Sequence, residues 1–377
     1  MSERFDAIVV GVGGFGSAAL FHLARSGRRV LGIERFGVPN EQGSSHGVTR
    51  IIRLAYYEDP SYVPLLRRAY ELWRELETAA EERLLHITGS VDAGPQDSFV
   101  FEGSVRSCVE HGLEHEVIDG AEVNRRFPGY RLSAQSMAVF QPEGGFLLPE
   151  RCIGAHVESA LAAGAELRTN ERVLEWEATG SGVRVTTDRA GYEAERLVVA
   201  AGAWEGELTG LPVVAERQVL AWLDPLVPEL FEPERFPVFN LIVEEGRYYG
   251  FPVFGIPGFK LGRYHHLEEE GDPDELDREP SERDERVLRE FAERYFPDGA
   301  GPTSLLKTCL FENTPDEHFL LGVHPEHENV VVAGGGSGHG FKFASVIGEI
   351  VAQLARGESP SLDIGLLSPE RFAGRSG

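Results

Sequence analysis

Asp6-Ala7-Ile8-Val9-Val10-Gly11-Val12-Gly13-Gly14-Phe15-Gly16-Ser17 opens a stretch that runs on to Glu34 and reads as strand, glycine turn, helix and second strand. The apolar run Ala7 to Val10 predicts a buried strand, and Ser17 to Arg25 predicts a helix ended by Gly27. In the turn between them Gly11 permits the tight bend, Gly13 lets the backbone approach a pyrophosphate, and Gly16 lets helix and strand pack closely. Glu34 closes the strand Val30 to Ile33, where a carboxylate accepts hydrogen bonds from a ribose diol and repels a 2'-phosphate. A lone G-x-G-x-x-G is a weak signal. Here every part of the context stands in register within about 30 residues, so the stretch reads as a dinucleotide fold for an adenosine ribose rather than for NADP. The motif alone does not separate FAD from NAD.

Composition bounds the rest. A chain of 377 residues can bury two cores, and 42% hydrophobic content without an apolar run near 18 residues indicates a soluble globular protein with no membrane partner. The first strand begins at about residue 6, leaving no room for a signal peptide, so a cytoplasmic address is expected. A formal net charge of -25 argues against nucleic acid or anionic membrane. Cys108, Cys152 and Cys309 are too scattered for a disulfide framework or a zinc site, and no metal is expected. Of 36 basic residues only Lys260, Lys307 and Lys342 are lysines. A GC-rich genome alone would leave few, but a compact ammonium with a movable pKa can do in a site what a guanidinium cannot.

After Glu34 the loop Arg35 to Thr49 contains Gly43-Ser44-Ser45-His46-Gly47. Arg50 and Arg53 then follow three apart, which reads as one face of a helical turn carrying either an anion site or salt bridges. Val63 to Glu77 has Leu65, Leu66, Tyr70, Leu72, Trp73 and Leu76 at helical spacing. Residues 81–144 read as short strands and turns, and Arg151 to Ala163 as a second long helix. Arg196 to Trp204 is a buried strand running into a glycine turn, which returns the chain to the nucleotide domain. Leu211 to Cys309 is rich in Pro, Phe and Tyr with alternating strands, and the acidic stretch Glu268 to Arg294 leads into a helix with a solvated face. Val330 to Ala333, the glycine turn Gly334 to Gly340 and the helix Phe341 to Leu354 return once more, so two interrupted domains are expected rather than two consecutive ones.

Three runs carry a family resemblance. They are Gly43 to Arg53, Tyr249-Gly250-Phe251-Pro252 with Lys260-Leu261-Gly262, and Asp316-Glu317-His318-Phe319 with Ser337 to Phe343. Together they resemble the monomeric sarcosine oxidase and N-methyltryptophan oxidase family, in the family's order and over nearly the whole length. The family is similar to D-amino-acid oxidase and glutathione reductase in its nucleotide domain and carries FAD. The resemblance implies an α/β fold, with a glutathione-reductase-like Rossmann domain over 1–80, 145–213 and 316–377. An interleaved α+β substrate domain on a mixed or antiparallel sheet would cover 81–144 and 214–315. It implies cofactor contacts from Gly11, Gly13, Gly14, Phe15, Gly16, Glu34 and Arg35, then from Ser44, Ser45, Thr49 and Arg50. Val173, Gly202, Gly338, Gly340 and Lys342 complete them, with Cys309 bonded through sulfur to the flavin, a step that nearby cations should favour.

By the same resemblance Arg53 and Lys342 grip a substrate carboxylate, Arg50 lies against the flavin, and Lys260 lies over its other face to activate oxygen. His339 is placed beside the ring and Tyr249 in the substrate pocket. The implied activity is oxidative demethylation of sarcosine or a related N-methyl amino acid by a monomer, with oxygen as acceptor and the primary amino acid, formaldehyde and hydrogen peroxide as products. A cyclic imino acid or bulkier N-alkyl amino acid is the alternative substrate, and an NAD-linked dehydrogenase the alternative class. The chain departs from its family at three places: Phe311 replaces a tyrosine, Ser45 a histidine, and Arg263 leaves Tyr264 and His265 competing for a histidine position.

Overall fold

The computed structural model describes residues 3–180 and 182–373, so the outermost residues of the expected 1–80 and 316–377 segments lie outside the described residues. The first of two large sheets is organised on the strand Gly191–Val199. Along one side it pairs in parallel with Glu3–Val10, which pairs with Val30–Ile33, which pairs with Glu166–Arg168. Its other side takes Gly182–Thr187 in antiparallel over the first half and His327–Gly334 in parallel over the second. These strands are valine-rich because both faces are covered. Val10, Ile33 and Val199 end at one edge, and the turns that follow them open there, as ligand crevices of parallel sheets do.

The helix Gly14–Arg25 starts earlier than its apolar spacing suggests, because Gly14 and Gly16 already belong to its first turn. It packs on the terminal helix Ala344–Ala355 at a glycine crossing, where a Cβ on Gly348 would stand 2.5 Å from the Ala18 Cβ. The helix Val63–Ala80 buries Leu65, Leu66, Leu72, Trp73 and Leu76 against the same core, along the expected stripe.

The second large sheet is mixed, with most pairs antiparallel. Val214–Leu223 lies between Thr303–Asn313 and Phe259–Arg263, and Gly246–Phe251, Val238–Val243, Ser90–Gly94, Met137–Gln141 and Glu116–Asp119 extend the sheet. Its core is aromatic, with Phe231, Phe236, Phe239, Phe259, Phe291 and Phe296 packed around Tyr130. A small third sheet, Arg50–Ile52, Gly145–Leu147 and Leu85–Ile87, also forms.

Three sequence expectations change. Residues 81–144 contain a helix, Phe99–His111, hidden because after Val100 and Phe101 its buried face continues with Gly103, Ser104, Ser107 and Cys108 rather than large apolar residues. Arg50 begins a strand instead of a helical turn, so Arg50 and Arg53 do not share a face. The acidic helix Glu282–Tyr295 is not wholly solvated, since Asp284 is buried and bound at 2.9 Å through each oxygen by Arg217. Among the described residues no helix is long and apolar enough to cross a membrane.

Candidate active site

A cleft of about 1380 Å³, its open mouth included, runs along the edge where the parallel strands end. Its turn needs glycine for separate reasons at each position. Gly11 has φ +84°, and a Cβ there would lie 2.3 Å from the Ala200 carbonyl oxygen. A Cβ on Gly16 would lie 1.8 Å from the Gly11 oxygen, so helix and turn can close only without one. On Gly13 it would meet nothing within 4 Å, which leaves bare backbone facing the cleft where a phosphate could approach. Glu34 is buried with its carboxylate accepting from Val12 N at 2.8 Å and Phe36 N at 3.0 Å; burial raises its pKa against these bonds. Gly14, Phe15, Arg35, Ser44, Ser45, Arg50, Val173, Gly202, Gly338 and Gly340 also line the cleft, as does Phe311, whereas Gly16, Thr49, Cys309 and Lys342 do not.

A knot of cations lies at one side. Arg50 donates to Ser44 O at 2.7 Å and Thr49 O at 2.9 Å. Lys260 spends all three donors on one loop, reaching Gly47 O and Thr49 O at 2.7 Å and Thr49 Oγ1 at 3.1 Å. Glu150 accepts from the Gly47 and Val48 N–H groups of that loop, which is thereby clamped with Val48 in the left-handed region at φ 72°. Burial and then Arg50 push the Lys260 pKa well below its ordinary value. His46 is fully buried with no partner on either ring nitrogen, and burial followed by Arg50, Lys307 and Lys260 pushes its pKa to about 2. The sequence gives it no role beyond membership of the Gly43–Gly47 run. Lys307, the third lysine, is paired with Glu41.

Cys309 sits on Thr303–Asn313 opposite Gln218, packed against Leu220, Trp222 and Tyr249. Arg50 and Lys260 favour its thiolate as expected, but burial is the larger effect and raises the pKa. Three residues on, Glu312 lines the cleft, accepts the Ser44 hydroxyl and is pushed by burial to about 7. Sequence reading passes over it because an acid in a strand carries no local signal.

The substrate-side residues gather behind and beyond this cleft. Arg53 and Lys342, 289 positions apart in the chain, converge on the Tyr56 ring at 4.6 and 5.4 Å from its centre. Arg53 is held by both Glu58 oxygens at 3.1 and 2.9 Å, by Ala55 O at 2.5 Å, and by Asp92 at 3.6 Å. Burial opposes its charge and Glu58 and Asp92 outweigh it; in return Arg53 overcomes burial at Glu58 and draws its pKa to about 2. Asp92 is pushed up to about 6 by burial. Lys342 donates to His339 O at 2.6 Å, and burial followed by Arg53 lowers its pKa to about 7. His339 lies 2.9 Å from Glu317 O through Nε2 and 2.5 Å from the Tyr56 hydroxyl through Nδ1. A carbonyl can only accept, so Nε2 carries the proton and Nδ1 receives the tyrosine's. Burial lowers the imidazole pKa to about 4, which keeps it neutral.

An outer cleft opens next to these groups, lined by Tyr57, Glu58, Arg247, Tyr264, Glu317 and His339 among others. Of the two residues that compete for the histidine position, Tyr264 packs its ring on Tyr249 at 5.0 Å and Phe311 at 5.8 Å, while His265 meets the Phe311 edge at 6.3 Å and bonds to Glu216 and Glu317. Gly338 explains the tight wall behind Phe311, since a Cβ there would stand 2.4 Å from the ring. Glu58, Asp92 and Arg247 carry no sequence motif; Glu58 reaches Arg53 from five residues on in the same loop, whereas Asp92 and Arg247 come from strands of the second sheet.

The family profile described as FAD dependent oxidoreductase, DAO, matches residues 6–354. The chain is 41% identical over 384 residues to the monomeric sarcosine oxidase of Streptomyces avermitilis, covering 99% of each. It is 34% identical to the N-methyl-L-tryptophan oxidase of Yersinia pestis, covering 98% of this chain and 99% of the other. Its fold overlays that of NikD, an unusual amino acid oxidase essential for nikkomycin biosynthesis, with a TM-score of 0.85 and 28% identity over 98% of both chains.

Proposed function

The chain belongs to the DAO family of FAD-dependent oxidoreductases, and from that premise we propose that it demethylates sarcosine or a related N-methyl amino acid. The products are the primary amino acid, formaldehyde and hydrogen peroxide. The observation that carries this reading is the convergence of Arg53 and Lys342 on Tyr56 beside a wall of Tyr249, Tyr264 and Phe311.

FAD fits the long cleft: Gly13 leaves backbone open for its pyrophosphate, Glu34 stands ready for its ribose, and unpartnered His46 lies with the cations by Cys309. When bound it supplies two-electron acceptance from the carbon next to the amine and return of the electrons to oxygen. On this reading Ser44, Arg50, Lys260 and Gly338 would hold its ring end and Cys309 would be its point of attachment. The thiol must first lose the proton that burial favours, and Arg50 and Lys260 oppose that cost.

Arg53 and Lys342 receive the substrate carboxylate, which competes with Glu58 for Arg53 and draws Lys342 into its charged form. The His339 Nδ1 lone pair is taken by Tyr56, so His339 does not serve as the base, and on this reading the amine enters neutral. Tyr249, Tyr264 and Phe311 exclude water from the reacting methyl group, leaving orientation and charge as the means of catalysis. The resulting imine hydrolyses to formaldehyde. The labour divides as 1–80, 145–213 and 316–377 for cofactor and 81–144 and 214–315 for substrate, in a cytoplasmic monomer. Because Phe311 and Tyr264 make the wall apolar, a cyclic imino acid or bulkier N-alkyl amino acid is the second substrate reading.

The test is stoichiometric release of formaldehyde and peroxide from sarcosine by the purified holoenzyme. Absence of peroxide with every secondary-amine amino acid tried overturns the reading. Acid precipitation should leave the yellow colour in the pellet for the wild type and in the supernatant for Cys309→Ala.

A further inference from the structure

Arg247 lies on the strand Gly246–Phe251, two residues before Tyr249, and lines the outer cleft. Its guanidinium carbon stands 3.6 Å from the centre of the Tyr264 ring, and 5.6 and 6.0 Å from those of Phe99 and Tyr57. The other cations in or next to the two clefts each have a protein acceptor: Arg50 has carbonyls, Arg53 has Glu58, and Lys260 and Lys342 have backbone oxygens. Arg247 has none. Among the described residues no carboxylate comes within ion-pair distance of it and no oxygen accepts from its side chain. Ring faces stabilise a cation but satisfy none of the five N–H donors of a guanidinium, so this half-buried group, whose charge burial opposes and Glu58 and Glu317 favour from beyond ion-pair distance, keeps its donors open to the cleft.

The carboxylates nearby are already engaged. Glu58 is on Arg53, Glu317 faces His265 at 3.4 Å, and Asp316 is bound by Arg371 at 2.8 Å; Glu102 and Glu268 are exposed at the rim. Arg247 also shares a ring with Arg53, whose guanidinium lies 4.0 Å from the centre of Tyr57. The two cations are thus close enough to grip the two ends of one small dianion.

We propose that Arg247 anchors a second anionic group of the substrate, so that the preferred substrates are N-methyl amino acids bearing a further carboxylate. This rests on the secondary-amine oxidase reading and narrows its substrate class. The α-carboxylate takes Arg53 and Lys342, and the distal carboxylate takes the open donors of Arg247.

The experiment compares kcat/KM for N-methyl-L-glutamate, its neutral isostere N-methyl-L-glutamine, and sarcosine, in the wild type, Arg247→Met and Arg247→Lys. The acid should exceed the amide by about 30-fold in the wild type, the scale of a hydrogen bond to a charged group. That ratio should fall to near one in Arg247→Met and be partly kept in Arg247→Lys. Calorimetric binding of glutarate against its monoamide should follow the same order and reports on the folded protein without turnover. A wild-type ratio near one, or a ratio unchanged in Arg247→Met, overturns the proposal while sarcosine turnover preserves the oxidase reading. Inertness of all three substrates overturns both.

Discussion

The glycine-lined cleft and the outer cleft meet at Phe311, whose ring lines the first and packs on Tyr264 of the second. They are specified by different means. Around the first, the decisive features are backbone ones: Gly11 and Gly338 at positive φ, and Gly16 with no room for a Cβ. Around the second they are side-chain charges gathered from residues 53, 58, 92, 247 and 342. A backbone turn is a local property, complete within a few residues. A buried charge cluster exists only after both sheets have assembled, and each member is stable there only because of the others.

The largest expected effect separates two glycines of one turn. Gly16→Ala would force a Cβ against the Gly11 carbonyl and should cost at least about 3 kcal/mol, leaving little folded protein in a urea titration. Gly13→Ala, with open space around its Cβ, should unfold within about 1 kcal/mol of the wild type and yet lose most of its flavin absorbance. Equal unfolding in both variants would mean that Gly13 serves the fold and not the phosphates.

Breaking the second region should cost nearly as much through a single charge. Glu58→Gln removes the two-oxygen partner of a buried guanidinium and should destabilise the protein by about 3–5 kcal/mol. If substrate carboxylates compete for Arg53, the same variant should regain more stability than the wild type does when propionate is added in a thermal melt. An equal propionate shift in both would place the carboxylate away from Arg53.

That contrast also explains what could be read from the chain. Strand, turn, helix and Glu34 are adjacent in sequence, so their spacing is itself the evidence. The helix Phe99–His111 escaped because beyond Val100 and Phe101 small residues form its buried face. Arg50 and Arg53 look like helical neighbours three apart, but with Arg50–Ile52 paired as a strand to Gly145–Leu147, Arg50 lines the glycine-lined cleft while Arg53 is buried against Glu58 and Asp92. Asp92 is remote from Arg53 in the chain, and Glu58, though five residues from it, sits in no motif that shows the pairing. Where the Tyr264 and His265 side chains go depends on how Phe259–Arg263 pairs with Gly246–Phe251 just before them, a long-range fact.

A pH titration probes the charge cluster with a smaller effect. Lys342 has its folded pKa lowered to about 7, so between there and its ordinary value the unfolded chain binds more protons. Stability of the free protein should therefore rise with pH through that window. Affinity for propionate should move the opposite way, weakening by about tenfold between about pH 6.5 and about 8.5 as the ammonium is lost. Asp92 at about 6 and His265 at about 9 titrate at the edges of that range, and protonating either also favours the anion. A flat propionate profile, or one lost equally in Lys342→Met and the wild type, would remove Lys342 from the carboxylate site.

The smallest effect concerns the wall between the clefts. In Phe311→Tyr a hydroxyl enters a ring position that is 6% exposed, against Tyr264 and under Gly338. If the ring edge faces the substrate, the new hydroxyl gives the pocket a polar group that small substrates can meet and bulky apolar ones must desolvate. Selectivity in an apolar pocket changes by about 1 to 3 kcal/mol per group, and the lower end is expected here because the ring is shared with the cofactor cleft. The ratio of kcat/KM for sarcosine over N-methyl-L-alanine, L-proline or N-methyltryptophan should then rise by about fivefold, about 1 kcal/mol. The thermal midpoint separates this from plain packing. An unpaired buried hydroxyl costs about 1–3 kcal/mol of stability, so a lower midpoint with unchanged selectivity would bury the hydroxyl inside the wall and leave the substrate range to Tyr264 and Arg247.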